Sequence, residues 1–483
     1  MTESTIGTDH TDLFIGGTWT PSRGGETRTV VDPSTERPLG TVVLASTDDV
    51  DAAVAAARAA FDDPAGWSSW TGEARADALD RFADALTARS DQIAAAVTSQ
   101  NGMPIGLATA LEGAFAPLLL RYYADLARSS HPQIVDGMLG GRVEIRHVPY
   151  GVVGAIAPWN YPQTLAAMKY APALAAGCTV VLKAPVESPL DARLVADAAI
   201  EAGLPAGVLN ILPGDVDAGR ALVAHPRVAK VAFTGSTAAG RDVARVCGDL
   251  LRPVTLELGG KSAGIVLDDA DLASSVEDLF GAVFINNGQT CFRTARILAP
   301  QRRYDEVVAL LADLSSGAAV GDPRDAATAI GPLVHARARA RDRVMGYIDQ
   351  GRATSRLVTG GGTPDGPGFF VQPTVFADVD NDSPIGQEEI FGPVVTVAPY
   401  RDEDDAVAIA NDSVYGLGGT VWSRDAEHAA RVARRLQTGT VGINGYTPDP
   451  AGPFGGFKNS GIGREFATSG FENYRQPQTI YLG

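Results

Sequence analysis

Val152-Val153-Gly154-Ala155-Ile156-Ala157, Thr179-Val180-Val181-Leu182, Val208-Leu209-Asn210-Ile211-Leu212, Val228-Ala229-Lys230-Val231-Ala232-Phe233 and Pro253-Val254-Thr255-Leu256-Glu257-Leu258 follow one another between residues 150 and 258, separated by segments of helical composition. Short β-branched runs divided by helices predict βαβ units and a parallel sheet covered on both faces. Gly177 and Gly203 stand where helix C-terminal caps belong. In an open sheet of this kind ligands bind beyond the carboxyl ends of the strands. Trp159-Asn160, Lys183, Gly235-Ser236 and Glu257 each fall at or just after one such end, so four candidates converge on one rim.

Before this stretch, an Ala-rich segment from Ser46 sets Val50, Val54, Ala57 and Phe61 at helical spacing, and Ser46 with Asp49 resembles a capping box. Residues 1 to 12 are polar and are expected to fray. After it, a second αβ stretch from about 259 to 460 carries Cys291 and Glu389, which predicts an active site in the cleft between two domains. The Pro/Gly stretch Gly360 to Pro373 reads as a surface loop. Gly141 to Val148 alternates apolar and polar residues like a two-faced strand, and Thr479 to Leu482 is a second strand candidate. By itself this pair fits an ordinary edge hairpin as well as an intersubunit sheet.

The bulk properties narrow the function. A chain of 483 residues holds a large core without needing a disulfide or metal to fold. With 57 acidic against 40 basic residues the net charge is −17, which repels phosphate backbones and anionic membrane surfaces and argues against a nucleic-acid partner. Cys178, Cys247 and Cys291 are widely spaced, with no C-x-x-C pair and no Cys/His cluster to suggest zinc, and a reducing compartment fits them best. The first twelve residues lack the basic and apolar regions of a secretory signal, and no apolar run approaches a membrane span. The expectation is a cytoplasmic enzyme.

Cys291 stands in Asn286-Asn287-Gly288-Gln289-Thr290-Cys291, 34 positions after the Glu of Glu257-Leu258-Gly259-Gly260-Lys261. A lone Cys is most often a small buried hydrophobe. A thiol that attacks a carbonyl, with a carboxylate that later activates water, makes a two-step covalent catalyst. Around them lie Pro158-Trp159-Asn160-Tyr161-Pro162, Phe233-Thr234-Gly235-Ser236-Thr237, Glu388-Glu389-Ile390-Phe391-Gly392-Pro393 and Pro453-Phe454-Gly455-Gly456-Phe457-Lys458, running to Ser460-Gly461. In this order and at these spacings the strings resemble the aldehyde dehydrogenase superfamily, over roughly residues 12 to 483.

The resemblance implies an α/β, aldehyde dehydrogenase-like fold of two doubly wound αβ domains with a small β oligomerisation segment. Residues 1–128 and 149–258 would form the dinucleotide-binding domain, 259–460 the catalytic domain, and 129–148 with 461–483 the oligomerisation segment of a homodimer or homotetramer. Cys291 would attack the aldehyde carbon while the Asn160 amide and the Cys291 backbone N–H stabilise the oxyanion. Hydride transfer would leave a thioester, which water activated by Glu257 would release as the carboxylic acid. Lys169 would serve a proton relay, although a surface Lys is an equal reading. A thiol near pKa 8.5 is mostly protonated at neutral pH, so the amides of Asn286 to Thr290, with bound cofactor, are expected to lower it.

There is no G-x-G-x-x-G; the nearest string, Gly235-Ser236-Thr237-Ala238-Ala239-Gly240, serves a plain strand-to-helix turn as readily as a pyrophosphate. By the resemblance Ser236 would touch the pyrophosphate and Pro158 and Trp159 would line the groove. Glu389 would hold the nicotinamide ribose beside Phe391, and Ile156, Gly235 and Leu258 would complete the site. Lys183 would bond the adenine ribose. Many NAD-using relatives carry Glu three places later, where this chain has Val186, with Glu187 one place beyond. Losing that carboxylate opens the way to NADP; alternatively the loop shifts and Glu187 takes over the ribose. The expected cofactor is NAD, with NADP as the alternative.

Tyr161, Thr164, Leu165, Met168, Phe292 and Phe454 would line the aldehyde tunnel, or serve core packing. Their apolar and aromatic character predicts medium-length aliphatic or aromatic aldehydes over charged semialdehydes. Competing readings are a coenzyme A-acylating relative, which generally lacks the base that Glu257 provides, and a catalytically silent binding protein on the same scaffold.

Overall fold

The computed structural model describes residues 9–335 and 340–482. Its first sheet has eight strands, in the order Gly461–Ile462, Val254–Glu257, Lys230–Thr234, Val152–Ile156, Thr179–Ala184, Leu209–Pro213, Asp12–Ile15 and Thr18–Pro21. The five strands from Val254–Glu257 to Leu209–Pro213 run parallel, as the alternation predicts. Their side chains are buried on both faces, as the near-continuous apolar runs require. Gly177 (φ 93°) and Gly203 (φ 69°) end the helices Pro162–Ala175 and Leu190–Glu201 in the left-handed conformation open to Gly without steric cost.

The first outer helix, Thr47–Asp62, starts at a reciprocal capping box: Ser46 Oγ accepts the Asp49 N–H at 3.2 Å and Asp49 Oδ2 accepts the Ser46 N–H at 2.9 Å. Of the residues expected to fray, 1–8 lie outside the described residues, and 9–12 are tied down. Asp9 accepts from the Thr41 N–H and hydroxyl, and Asp12 opens a strand paired with Thr18–Pro21. Local polarity misled the reading because the groups that anchor this end, Thr41 and the strand Leu209–Pro213, lie elsewhere in the chain.

The second sheet has seven strands, in the order Arg356–Thr359, Thr374–Ala377, Val394–Tyr400, Thr294–Pro300, Ser262–Val266, Gly419–Trp422 and Gly442–Ile443, all parallel except the first pair. The Gly360 to Pro373 loop packs down on the N-terminal turn, where Gly368 N–H donates to Glu36 Oε1 and Phe369 N–H to Pro33 O. A third sheet joins Arg475–Leu482, Arg142–Pro149 and Gln133–Asp136 in antiparallel pairs. Gly461–Ile462 belongs instead to the edge of the first sheet. Among the described residues no helix is long and apolar enough to cross a membrane.

Candidate active site

The segment before Cys291 cannot follow a regular helix, because Asn286 (φ 50°), Asn287 (φ 59°) and Gly288 (φ 75°) are consecutive left-handed residues. Gly288 is obligatory here: a Cβ would stand 2.1 Å from Gly392 O. The strained turn is held from three sides. Asn286 Nδ2 donates to Asn160 O and Asn160 Nδ2 donates to Gln289 O, both at 2.9 Å. Asn287 Nδ2 donates to Gly102 O at 2.9 Å and Pro332 O at 3.0 Å, while its Oδ1 accepts the Gly331 N–H. Asn160, which the first sheet supplies, is thus cross-linked to the loop that carries the thiol. It is far more than a turn residue before proline.

Cys291 is a free, partly exposed thiol. Burial pushes it above its ordinary value, and the carboxyls of Glu389 and Glu257 push the same way. The backbone N–H groups of Cys291 and Phe292 pull it down without prevailing. The lowering expected from oriented amides is therefore not delivered by the loop alone, because amide dipoles are outweighed by the loss of water around the sulfur.

Glu257 ends the strand Val254–Glu257 and is 3% exposed, unlike a solvated rim residue. Neither of its carboxylate oxygens has a hydrogen-bond partner among the described residues. Burial, then the nearby Glu465, holds its carboxyl well above the usual range, with Lys169 and Arg464 pulling back. Gly455 leaves room for it; a Cβ there would stand 2.7 Å from Glu257 Oε1.

Lys169 lies on the helix Pro162–Ala175 and is wholly buried, which removes the surface reading. Its ammonium donates to Thr234 Oγ1 at 2.6 Å and to Glu465 Oε1 at 2.8 Å. Nothing in the sequence singled out Glu465. It sits 296 positions from Lys169 in an irregular segment whose Phe466 has φ 62°, so neither periodicity nor motif marks it.

Tyr161, Leu165, Met168 and Phe454 share one apolar cluster with Phe466, against which Cys291 and Phe292 pack. Thr164 turns its hydroxyl to Leu111 O at 3.2 Å, and the Tyr161 hydroxyl pairs with Thr290 Oγ1 at 2.7 Å. Phe292 stacks on Tyr446 at 4.8 Å and meets Phe454 edge-on at 6.1 Å. Tyr446 and Phe466, which the sequence did not single out, join these aromatic contacts.

On the cofactor side, Gly235 and the exposed Ser236 lead into the helix Thr237–Asp249, where Ser236 Oγ caps the Ala239 N–H at 3.3 Å. A Cβ on Gly240 would stand 2.4 Å from Leu258, so glycine sets how closely that helix packs on the strand end. Ile156 and Leu258 are buried under this turn, within the same apolar cluster. Trp159, next to Pro158, meets Phe391 edge-on at 5.4 Å, and Phe391 keeps φ 63°. Arg343 donates to Glu389 O and Ile390 O, which fixes that turn, while Glu389 Oε1 accepts the Gly260 N–H at 2.9 Å.

Lys183 Nζ donates to Gly214 O at 2.7 Å and Ala184 O at 3.2 Å; burial lowers it to about 8, with Glu187 and then Asp215 pulling it back up. Val186 packs toward Val30, Val42, Leu44 and Leu190.

A family model described as the aldehyde dehydrogenase family matches residues 19–480. The chain belongs to the aldehyde dehydrogenase family. It is 52% identical to a geranial dehydrogenase of Castellaniella defragrans, over 98% of this chain and 99% of that one. An aldehyde dehydrogenase of Mycobacterium tuberculosis, solved with NAD+, superposes with a TM-score of 0.96 at 45% identity, covering 99% of each chain. A variant of aldehyde dehydrogenase C from Pseudomonas syringae, solved with NAD+ and octanal, gives 0.93 at 41% identity, covering 97% of this chain and 96% of that one. The aldehyde dehydrogenase fold, with its parallel sheets, is therefore this chain's fold, and the chain is an oxidoreductase of that family.

Proposed function

We propose that this chain oxidises an apolar aldehyde of medium length, aliphatic, terpenoid-like or aromatic, to its carboxylic acid with NAD. The observation that carries the reading is the set of groups around Cys291. An apolar wall packs on one side, the Asn160 amide is locked into the loop, and a buried, unpartnered Glu257 carboxyl lies within electrostatic reach.

The groove residues fit a dinucleotide. The N-terminus of Thr237–Asp249 offers N–H groups to a pyrophosphate beside Gly235 and Ser236, Trp159 and Phe391 form an apolar floor with Pro158, and Glu389 and Lys183 with Glu187 would hold the two riboses. Bound there, NAD supplies the acceptor for the aldehyde hydrogen. Glu187 and Asp215 beside Lys183 would repel a 2′-phosphate, which favours NAD over NADP.

Cys291 gives up its proton to water and its sulfur attacks the aldehyde carbon. The second N–H of the Asn160 amide, not used on Gln289 O, and the Cys291 backbone N–H take the developing oxyanion. Oxidation leaves a thioester on Cys291. Glu257 then removes a proton from water as that water attacks the thioester, the C–S bond breaks, and carboxylate and thiol separate. Lys169 and Glu465 carry the proton away.

The exposed side chains of Ile134, Val135 and Tyr481 on the third sheet, with Met138 and Leu139 wholly exposed at its tip, support assembly as a homodimer or homotetramer. Light scattering on the eluting protein would read the mass directly.

Reduced-nicotinamide formation with NAD and NADP in parallel, over geranial, octanal, benzaldehyde and succinic semialdehyde, beside Cys291→Ala, tests the reading. NAD-dependent turnover of the apolar aldehydes without coenzyme A, lost in the variant, is expected. A steep preference for succinic semialdehyde, or a need for coenzyme A, would overturn it.

A further inference from the structure

The strands Lys230–Thr234 and Val254–Glu257 are parallel neighbours in which Ala232 pairs with Thr255 and Thr234 with Glu257. Side chains two apart share a face, so Lys230, Thr234, Thr255 and Glu257 stand on one side of the sheet. The face is the one covered by the helix Pro162–Ala175, since Lys169 reaches down to Thr234 Oγ1. Lys230 Nζ donates to Thr255 Oγ1 at 2.8 Å and lies 5.3 Å from the ring centre of Tyr474. Two buried lysines and two buried glutamates thus form a stripe along the interior of the first sheet, where apolar side chains would cost far less.

We propose that Lys230 is the outer station of a proton path that leads from Glu257 through Lys169 and Glu465, along this stripe, to the surface groove over Gly463. The proposal rests on Glu257 being the base of the hydrolytic step. Gly463, Arg464, Thr468, Ser469, Glu472 and Asn473 line an open groove of about 380 Å³. At Gly463 its floor is thin: a Cβ would stand 3.4 Å from Thr255 Oγ1, the atom that Lys230 holds. Each turnover leaves one water proton on Glu257, and that proton must reach solvent before the next. Both Glu257 oxygens and Glu465 Oε2 are buried without a partner among the described residues, so a water bridges Glu257 to Lys169 and Glu465 to Lys230. Lys230 takes the proton arriving from Glu465 and releases one through the Thr255 hydroxyl, so its own charge is restored and nothing is oxidised or reduced.

The groups facing Lys230 from the packed elements are Cys178, Glu465, Cys247, Lys169 and Tyr474. Burial brings its ammonium down to about 8, with Cys178 and Glu465 pulling it back, and so within reach of proton exchange near neutral pH. A purely structural Lys230 would need only a cation over Tyr474 and a donor to Thr255. Arg supplies both and does not deprotonate.

The test is rapid mixing of the NAD-loaded enzyme with the aldehyde it turns over best, following reduced nicotinamide by absorbance and proton release with an indicator dye. In Lys230→Met and Lys230→Arg the nicotinamide burst should stay within twofold of the parent. Proton release and deacylation should slow about tenfold, below the 100- to 10,000-fold typical of groups that touch the reacting atoms. Thr255→Val should do the same and serves if Lys230→Met does not fold. Parent-like proton release in Lys230→Met, or its recovery in Lys230→Arg, would overturn the proposal. Glu257→Gln in the same assay separates the two readings: full steady-state turnover there would remove the base itself, whatever Lys230 does.

Discussion

Asn160 and Gln289 are bonded across the boundary between the two sheets, with the Asn160 amide donating to the Gln289 carbonyl at 2.9 Å while Asn286 returns a bond to the Asn160 carbonyl. One residue therefore both aims an oxyanion donor and fixes the turn that presents the nucleophile. Asn160→Ala should lower kcat by about 100- to 1,000-fold, the usual cost of one oxyanion donor. It should also lower stability by about 1–3 kcal/mol, because Gln289 O is left buried without its partner. Steady-state kinetics and denaturant unfolding check the two effects separately.

Glu257 is placed to act only after the thioester has formed. Glu257→Gln should retain the first burst of reduced nicotinamide and lose the steady-state rate by at least about 100-fold. Gly455→Ala should copy this phenotype, since its Cβ would come 2.7 Å from Glu257 Oε1 and its φ of 153° disfavours a side chain. Because burial and Glu465 raise the Glu257 carboxyl, its base form appears only above the ordinary carboxylate range. Deacylation in the parent should thus rise with pH past that range, and a rate flat from pH 5 to 8 would contradict the assignment.

How much of this was legible beforehand follows from the kind of signal each residue carries. Glu257, Lys183 and Ser236 end or closely follow predicted strands, so a near-continuous apolar run followed by a polar residue announces them. Glu465, Tyr446 and Arg343 lie in irregular segments or on a helix face with no such frame, and only the folded chain brings them in. The same limit applies to Val186 and Glu187. Their order in the sequence left the ribose contact open, and what the folded chain adds is that Val186 packs toward Val30, Val42, Leu44 and Leu190 while Glu187 acts on the charge of Lys183.

Glu187→Ser should raise kcat/KM for NADP relative to NAD by about tenfold, by removing one of the two carboxylates beside Lys183. Initial rates with each cofactor at saturating aldehyde measure the ratio. An unchanged ratio would assign the discrimination to Asp215 alone.

Glu112 offers a test in stability rather than rate. It sits on the π-turn Thr109–Gly113, wholly buried, and its Oε2 accepts the Gln163 N–H at 2.8 Å. It thereby caps the helix Pro162–Ala175, which has no side-chain cap of its own and carries the Tyr161 to Lys169 face of the site. Burial raises its carboxyl to about 8, against hydrogen bonds from Gln163 and Thr164. A carboxyl whose pKa is raised on folding binds its proton more tightly in the folded state, so its contribution is full below the unfolded value and lost as pH rises through about 8. The parent should accordingly lose stability from about pH 5 up to about pH 8, by up to about 1.4 kcal/mol per pH unit while the folded group stays protonated, and level off above, with the thermal midpoint following. Asp191, raised to about 6 by burial, adds to the slope only at the acid end of that window. Glu112→Gln keeps an acceptor for the Gln163 N–H and cannot ionise, so its midpoint should be higher than the parent's at pH 9 and should vary less with pH. A Glu112→Gln midpoint that varies less with pH than the parent's would show that the cap is held by a neutral carboxyl, and one falling as steeply as the parent's would show that it is not.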